Sequence, residues 1–580
     1  MRNHIPILAV LLASTVVAAA DWRDIRTGLE IPSENYADQP YVVITRDGNW
    51  LCTLTTGAGH EGQTRQHVAA TISADKGRTW SALIDIEPAD GPEASWVMPL
   101  ITPSGRVYAF YNYNGDNVRT LPSGQSARAD MLGWYCYRCS DDHGRTWSPR
   151  RRLPVRLTDC DRTNNWKGEV QIFWGIGKPI THGGSVWFGF TKLGKYMLDY
   201  GEGWFFRSDN ILTEPDPARI QWLMLPAGEH GLRGEEFGSI QEEHNLVPLA
   251  NGDLFCIYRT TTGYPVQSYS RDGGKTWSRP EFATYSPSGR RLKTPRACPR
   301  LWKAANGKYL FWFHNHSGAD FNGRNPAWLC GGVEIDGVIH WSQPEILLYD
   351  ADPTTRMSYP DLIEQDGRYW VTETQKTIAR VHEIDPNLLE GLWGQFTRQS
   401  VTTKGLALSA GVEQLRAANP PRMPRLPDLT QSDGFTIDLC VAFESLDPNQ
   451  VVLDARDAAG RGILVAVGES ATVQLVLSDG KIVARLDCDR GLLSTARTHR
   501  IAFTLDAGPR IITCVVDGQL CDGGPNRQFG WMRYDPAAFS KDLNADAPLK
   551  AGPALRRLHV YTRPLTTSQT VANHKAPVPN

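Results

Sequence analysis

An octapeptide that recurs along the chain restricts the fold more than any other feature. It reads Ser73-Ala-Asp-Lys-Gly-Arg-Thr-Trp80, then Ser140-Asp-Asp-His-Gly-Arg-Thr-Trp147, then Ser270-Arg-Asp-Gly-Gly-Lys-Thr-Trp277. The copies start 67 and 130 residues apart, and the larger interval is close to twice the smaller. A worn copy is therefore expected near 205, where Arg207-Ser208-Asp209-Asn210 stands, and another, Glu334-Ile-Asp-Gly-Val-Ile-His-Trp341, lies one period after Ser270. Repeats of this length signal stacked supersecondary units. Ser and Asp bond local backbone N–H groups in a tight turn, and Gly supplies a positive φ. The box is thus a staple with Trp packed beneath it, and carries no chemistry of its own.

A second pattern counts the units. Gly48, Gly105, Gly184, Gly252, Gly307 and Gly367 each precede a short run rich in aromatic and β-branched residues, such as Val107-Tyr-Ala-Phe-Tyr111 and Tyr309-Leu-Phe-Trp-Phe313. Such runs after a turn signal read as strands. Units of this size hold four short strands, and their radial stacking is a β-propeller. The expectation is an all-β chain: a six-bladed β-propeller over 21–397. After the proline-rich stretch 415–428, strands resume without the octapeptide, and a β-sandwich of jelly-roll type is expected over 398–568, then a tail, 569–580.

Composition agrees with short strands and many turns: 53 Gly, 38 Pro and 10% aromatic residues. Lys plus Arg is 61 against 63 Asp plus Glu, a net charge of -2. That balance excludes the basic footprint of a nucleic-acid binder. Arg2, an apolar run from Ile5 to Val17 and Ala18-Ala19-Ala20 read as a signal peptide, 1–20, cleaved near Ala20. No later run approaches the length of a membrane span. The mature chain is therefore expected to be secreted or periplasmic, with no membrane insertion. Eleven Cys is an odd number for an oxidising compartment. Cys52 and Cys256 lie within strand-like runs and read as buried thiols. Cys136-x-x-Cys139 has no second pair at zinc spacing, and Cys514 could bridge Cys521. His314 and His316 share a strand face and read as polar lining. No metal site and no cofactor are expected.

The octapeptides resemble the Asp-boxes of the sialidase (neuraminidase) superfamily, and the likeness covers nearly all of 22–395. The closing Leu-x-Val-Tyr-x-Arg-x-Leu-Thr pattern of the C-terminal part resembles laminin-G or concanavalin-like domains. Residues eight to ten before each turn glycine should begin the innermost strands: Asp38, Trp96, Trp174, Glu243, Cys298 and Tyr359, with Arg296 and Arg300 on the same face as Cys298. A Glu, a Tyr and several Arg converging on one axis are not the choice of a dry core.

The resemblance implies a glycan substrate and a set of roles. Ser358-Tyr359-Pro-Asp-Leu-Ile-Glu-Gln-Asp-Gly367 is similar to the family's nucleophile segment, which makes Tyr359 the nucleophile. Glu243-His-Asn-Leu-Val-Pro is similar to the segment whose Glu takes the nucleophile's proton. Glu242 is its rival, since strand alternation turns only one of the two inward. Arg259 and Arg324 correspond to arginines that clamp a substrate carboxylate, and Arg296 joins them in the expected binding set. Two positions depart from the pattern. Asp38 stands where the first clamp Arg belongs, and the loop acid is best represented by Glu61, with His60 and Gln66 beside it. A bare Asp38 about 4 Å from a substrate carboxylate would cost about 4 kcal/mol at an effective dielectric near 20. Arg65 could neutralise it, or Asp38 could accept hydroxyls of another sugar. The leading reading is an exo-acting, retaining sialidase-like glycoside hydrolase. The alternatives are a propeller acting on a non-sialic sugar and a glycan-binding protein without catalysis.

Overall fold

A computed structural model describes residues 21–430, 434–539 and 549–577. The leader expected at 1–20 lies outside them. Strands dominate, and the described residues contain no helix long and apolar enough to cross a membrane.

Residues 29–384 form six antiparallel sheets among the described residues, each built around a meander of neighbouring strands. The first runs Tyr36–Ile44, Trp50–Gly57, His67–Ser73 and Ile84–Asp85. The last holds Leu362–Gln365, Arg368–Thr374 and Ala379–Ile384, and is completed by Leu29–Ile31 from the other end of the domain. Each pair of neighbouring sheets shares one apolar cluster. Leu51 and Val68 of the first meet Val107 and Ala109 of the second, and Trp187 and Phe205 of the third meet Leu246 and Cys256 of the fourth. Ile363 and Trp370 of the last meet Val42 and Trp50 of the first. That final contact closes the ring, which is the architecture of a β-propeller.

The octapeptides occupy the turn after the third strand of the first, second and fourth sheets. In each the Ser hydroxyl accepts the Gly N–H at 2.8 Å and donates to the Asp carboxylate, which accepts the Thr N–H and hydroxyl. Gly77, Gly144 and Gly274 take φ values of 82°, 88° and 77°. Trp277 stacks on Phe205 of the preceding sheet at 4.5 Å, so the box also joins neighbours.

Two further sheets, of seven and five strands, enclose a separate core between residues 406 and 561. Phe435, Ile437 and Leu439 of one face Ile463, Val465 and Leu475 of the other, as in a β-sandwich. The expected tail at 569–580 is different: Thr567–Lys575 is a helix. Its first N–H groups donate to the buried carboxylate of Glu345 in the fifth propeller sheet at 2.9 and 2.7 Å. Buried Asn573 bonds Asp438 and the backbone of Thr402. The stretch read as a tail because its partners are remote in sequence. All eleven cysteines are free thiols, including Cys514 and Cys521.

Candidate active site

Three positions expected at the inner edge, and the residue after a fourth, Asp38, share an unusual backbone. Gln39, Trp96, Glu243 and Tyr359 all lie in the left-handed region, with φ of 50°, 55°, 60° and 45°. In the first three the pairing register shifts at that point. A non-glycine residue held this way costs about 1–3 kcal/mol, and such strain collects where side chains must be aimed. A threonine of the preceding sheet holds two of these bulges: Thr55 Oγ1 accepts Trp96 N–H, and Thr191 Oγ1 accepts Glu243 N–H, both at 2.8 Å.

The bulge removes the choice between Glu242 and Glu243. Simple alternation would send them to opposite faces, yet both reach Arg259, at 2.8 Å each. Glu242 also takes Arg296 at 2.6 Å, and is therefore an arginine anchor. Glu243 Oε1 accepts the Tyr359 hydroxyl at 2.9 Å. Burial raises the Glu243 pKa, with Arg259 opposing and Glu242 adding to the rise. Burial and the neighbouring Glu243 carry the Tyr359 phenol well above its ordinary value, so it rests neutral.

Arg324, 2% exposed, is placed differently. It donates to Phe321 O, Ser358 Oγ and Arg296 O, and makes no ion pair with a carboxylate among the described residues. Burial, with Arg356 and Arg259 adding to it, lowers its pKa, while the Tyr359 side chain opposes that shift. The ring of Phe321 lies 5.7, 4.5 and 5.9 Å from the guanidinium carbons of Arg259, Arg296 and Arg324. Arg300 turns away, down the axis, to Ile176 O, Pro360 O and Asn245.

The other half of the mouth is an ion network that the sequence reading assigned only in part. Asp38 is fully buried and accepts from Tyr36 Oη at 2.8 Å, from Gln39 N–H and from Lys376 Nζ at 2.7 Å. Lys376, not Arg65, neutralises it; Arg65 is exposed. Asp38 is thus neither a bare charge nor a free acceptor for sugar hydroxyls. Lys376 Nζ also lies 3.3 Å from Glu61 and 4.4 Å from the centre of the Tyr359 ring, joining the two halves. Arg128 bridges Glu61 at 2.9 Å and Asp130 at 2.7 Å. Burial would raise the Glu61 pKa, but Lys376 and Arg128 overcome it and hold the carboxyl far below its usual range. Glu61, with a side chain 31% exposed, is the accessible carboxylate of this half. His60 is exposed, and Gln66 spends its amide on the backbone of Gly62 and His60. Gln66 thereby closes the Glu61 loop. His314 bonds Pro326 O and His316 bonds Gly323 O; the described residues contain no cluster of three metal-ligating groups.

Lys376, Arg128, Asp130 and Phe321 escaped the sequence reading. Lys376 follows the second strand of the last sheet as Arg259 ends the second strand of the fourth. The logic that singled out Arg259 therefore extends to it. Arg128 and Asp130 sit in the long 114–133 connection, which has no periodic signal.

Residues 206–371 match the model of the BNR repeat-like domain. No curated protein matches the chain. Among solved structures, the Hadza microbial sialidase Hz136 is similar at 17% identity, covering 60% of this chain and 66% of that one, just under two thirds, with a TM-score of 0.42. A protein of unknown function from Dyadobacter fermentans is 15% identical over 62% of this chain and 97% of its own, with a TM-score of 0.46. Trypanosoma rangeli sialidase in complex with 2,3-difluorosialic acid is 13% identical over 95% and 96%, with a TM-score of 0.44. The turn boxes on a closed ring of antiparallel sheets and the match over 206–371 agree, and this part of the chain is similar to the BNR repeat-like domain.

Proposed function

We propose that the protein is an exported, exo-acting glycoside hydrolase of sialidase type, working with retention. Its propeller spans 21–397, read as six blades, and its sandwich begins at about 398. The observation that carries this reading is the buried Tyr359–Glu243 hydrogen bond beside Arg324, a buried cation with no carboxylate partner among the described residues. A neutral phenol can approach an anomeric carbon that bears a carboxylate, where an anionic nucleophile would be repelled. As Tyr359 Oη bonds to that carbon, Glu243 takes its proton, and the raised Glu243 pKa suits a base. The glycosidic C–O bond breaks and the leaving oxygen takes a proton. Water then attacks the glycosyl–tyrosine bond, and the phenol recovers its proton from Glu243. Arg324 supplies a buried cation for the substrate carboxylate. Glu61 is placed to serve the leaving group and the attacking water. Its surroundings favour the ionised form, which suits the base half of that role and opposes the acid half.

One observation favours a second reading, a non-sialic sugar. Arg259 and Arg296 are committed to Glu242 and Glu243, which leaves Arg324 alone without a carboxylate partner. That is a weaker anion site than three free arginines. A panel of aryl glycosides that includes α-sialosides separates the readings. Release from sialosides alone supports the first, and release only from others supports the second. Binding without turnover on any member overturns hydrolysis.

A further inference from the structure

The mouth is not built by the propeller alone. A loop of the C-terminal sandwich, residues 522–531, lies against the two segments that carry Arg296 and Arg324. Lys293 Nζ, three residues before Arg296, donates to the carbonyls of Asp522, Gly524 and Arg527 at 2.8, 2.6 and 2.8 Å. Arg290 adds an ion pair to Asp522 at 2.8 Å. On the second segment, Trp531 Nε1 donates to Asn315 O at 3.1 Å, and Ser317 N–H donates to Gln528 O at 3.2 Å. The ring of Phe529 packs tilted against His316, with ring centres 4.7 Å apart.

His316 is the link between domain and site. Its Nε2 donates to Gly323 O at 2.8 Å, which closes the loop 316–323. Its Nδ1 accepts Gly318 N–H at 3.1 Å and the Gln528 amide at 3.2 Å. Burial pulls its pKa down to about 4, so it stays neutral in this one tautomer near neutral pH. The closed loop presents Phe321 beneath the three guanidinium groups and Phe321 O to Arg324 Nε.

We infer that the C-terminal domain is a positioning element of the site: its 522–531 loop, through Lys293 and His316, sets where Arg296, Phe321 and Arg324 stand. The inference rests on the hydrolase reading only for its consequence in kinetics, because the placement itself can be measured directly. Misplacing a binding group by about 1 Å costs up to about a hundredfold in rate. A group that binds ground and transition states alike shows its loss in KM.

The test uses the full chain carrying Gln528→Ala or Phe529→Ala, both at partly exposed positions, with Phe529→Tyr as the conservative control. Amide hydrogen exchange over 315–324 should quicken at least about tenfold in the Ala variants, while the sheets keep wild-type protection. On the aryl glycoside that the wild type hydrolyses, KM should rise at least about tenfold with kcat within about threefold. Phe529→Tyr should restore both values. Unchanged exchange at 315–324 together with unchanged KM, even if the melting temperature falls, would reduce the loop to a structural contact and overturn the inference. If the wild type hydrolyses no glycoside, the functional proposal fails, and the exchange measurement still decides this one.

Discussion

At the scale of single residues, the site is defined by which charges are already spent. Five carboxylates, from Asp38, Glu61, Asp130, Glu242 and Glu243, face five cations, from Lys376, Arg128, Arg259, Arg296 and Arg324. Only Arg324 among the cations lacks a carboxylate partner. The repulsion expected from Asp38 rested on a lone charge, and Lys376 at 2.7 Å removes it. Glu61 gives a measurable pH signature. Its folded pKa lies below the ordinary 4.5, so the unfolded chain takes up the proton first as pH falls. The stability it contributes is full above 4.5 and is lost as pH drops through the lowered folded value. Urea unfolding of wild type and Glu61→Gln should therefore differ most near neutral pH and converge in acid. A constant difference across that range would show that Glu61 is not held ionised by Lys376 and Arg128.

At the scale of elements, the turn boxes and turn glycines were legible because their chemistry is local. Ser, Asp, Gly and Thr close one turn with bonds inside eight residues, and spacing alone revealed the repeat. Tyr359 and Glu243 were legible through register with those glycines, and Arg259 only through the resemblance of its segment. The bulge at Glu243 was not, because a left-handed residue in an inner strand is imposed by the neighbouring sheet, through Thr191. Lys376 and Phe321 were missed for the same reason: their roles come from contacts across the ring. The boxes also reach across it. A Cβ at Gly144, where φ is 88°, would stand 2.5 Å from Leu51 Cδ1 of the first sheet. Gly144→Ala should cost about 1–3 kcal/mol in chemical unfolding from strain and overlap. A neutral result would show that the turn tolerates a side chain and is no staple.

At the scale of the whole molecule, the two domains are joined by polar groups that neither could bury alone. Glu345 of the propeller is almost fully buried and receives two N–H groups and the Ser568 hydroxyl from the C-terminal helix. Glu345→Ala leaves those donors unsatisfied and should cost about 2 kcal/mol or more in unfolding free energy. Glu345→Gln, which keeps one acceptor, should cost less. Equal stability in both variants would mean that the helix docks by other contacts. The 522–531 loop of the sandwich likewise meets the propeller, through Lys293 and Arg290.

The central claim is that Tyr359 is the nucleophile and Glu243 its base, and Tyr359→Phe tests it most directly. The substitution removes one oxygen from a buried ring and leaves the Glu243–Arg259 pair in place. On whichever aryl glycoside the wild type hydrolyses, kcat should fall by at least about a hundredfold, the usual worth of a covalent or acid–base contribution. The melting temperature should change little. Turnover that survives Tyr359→Phe at near wild-type rate would remove Tyr359 from the chemistry and contradict the account.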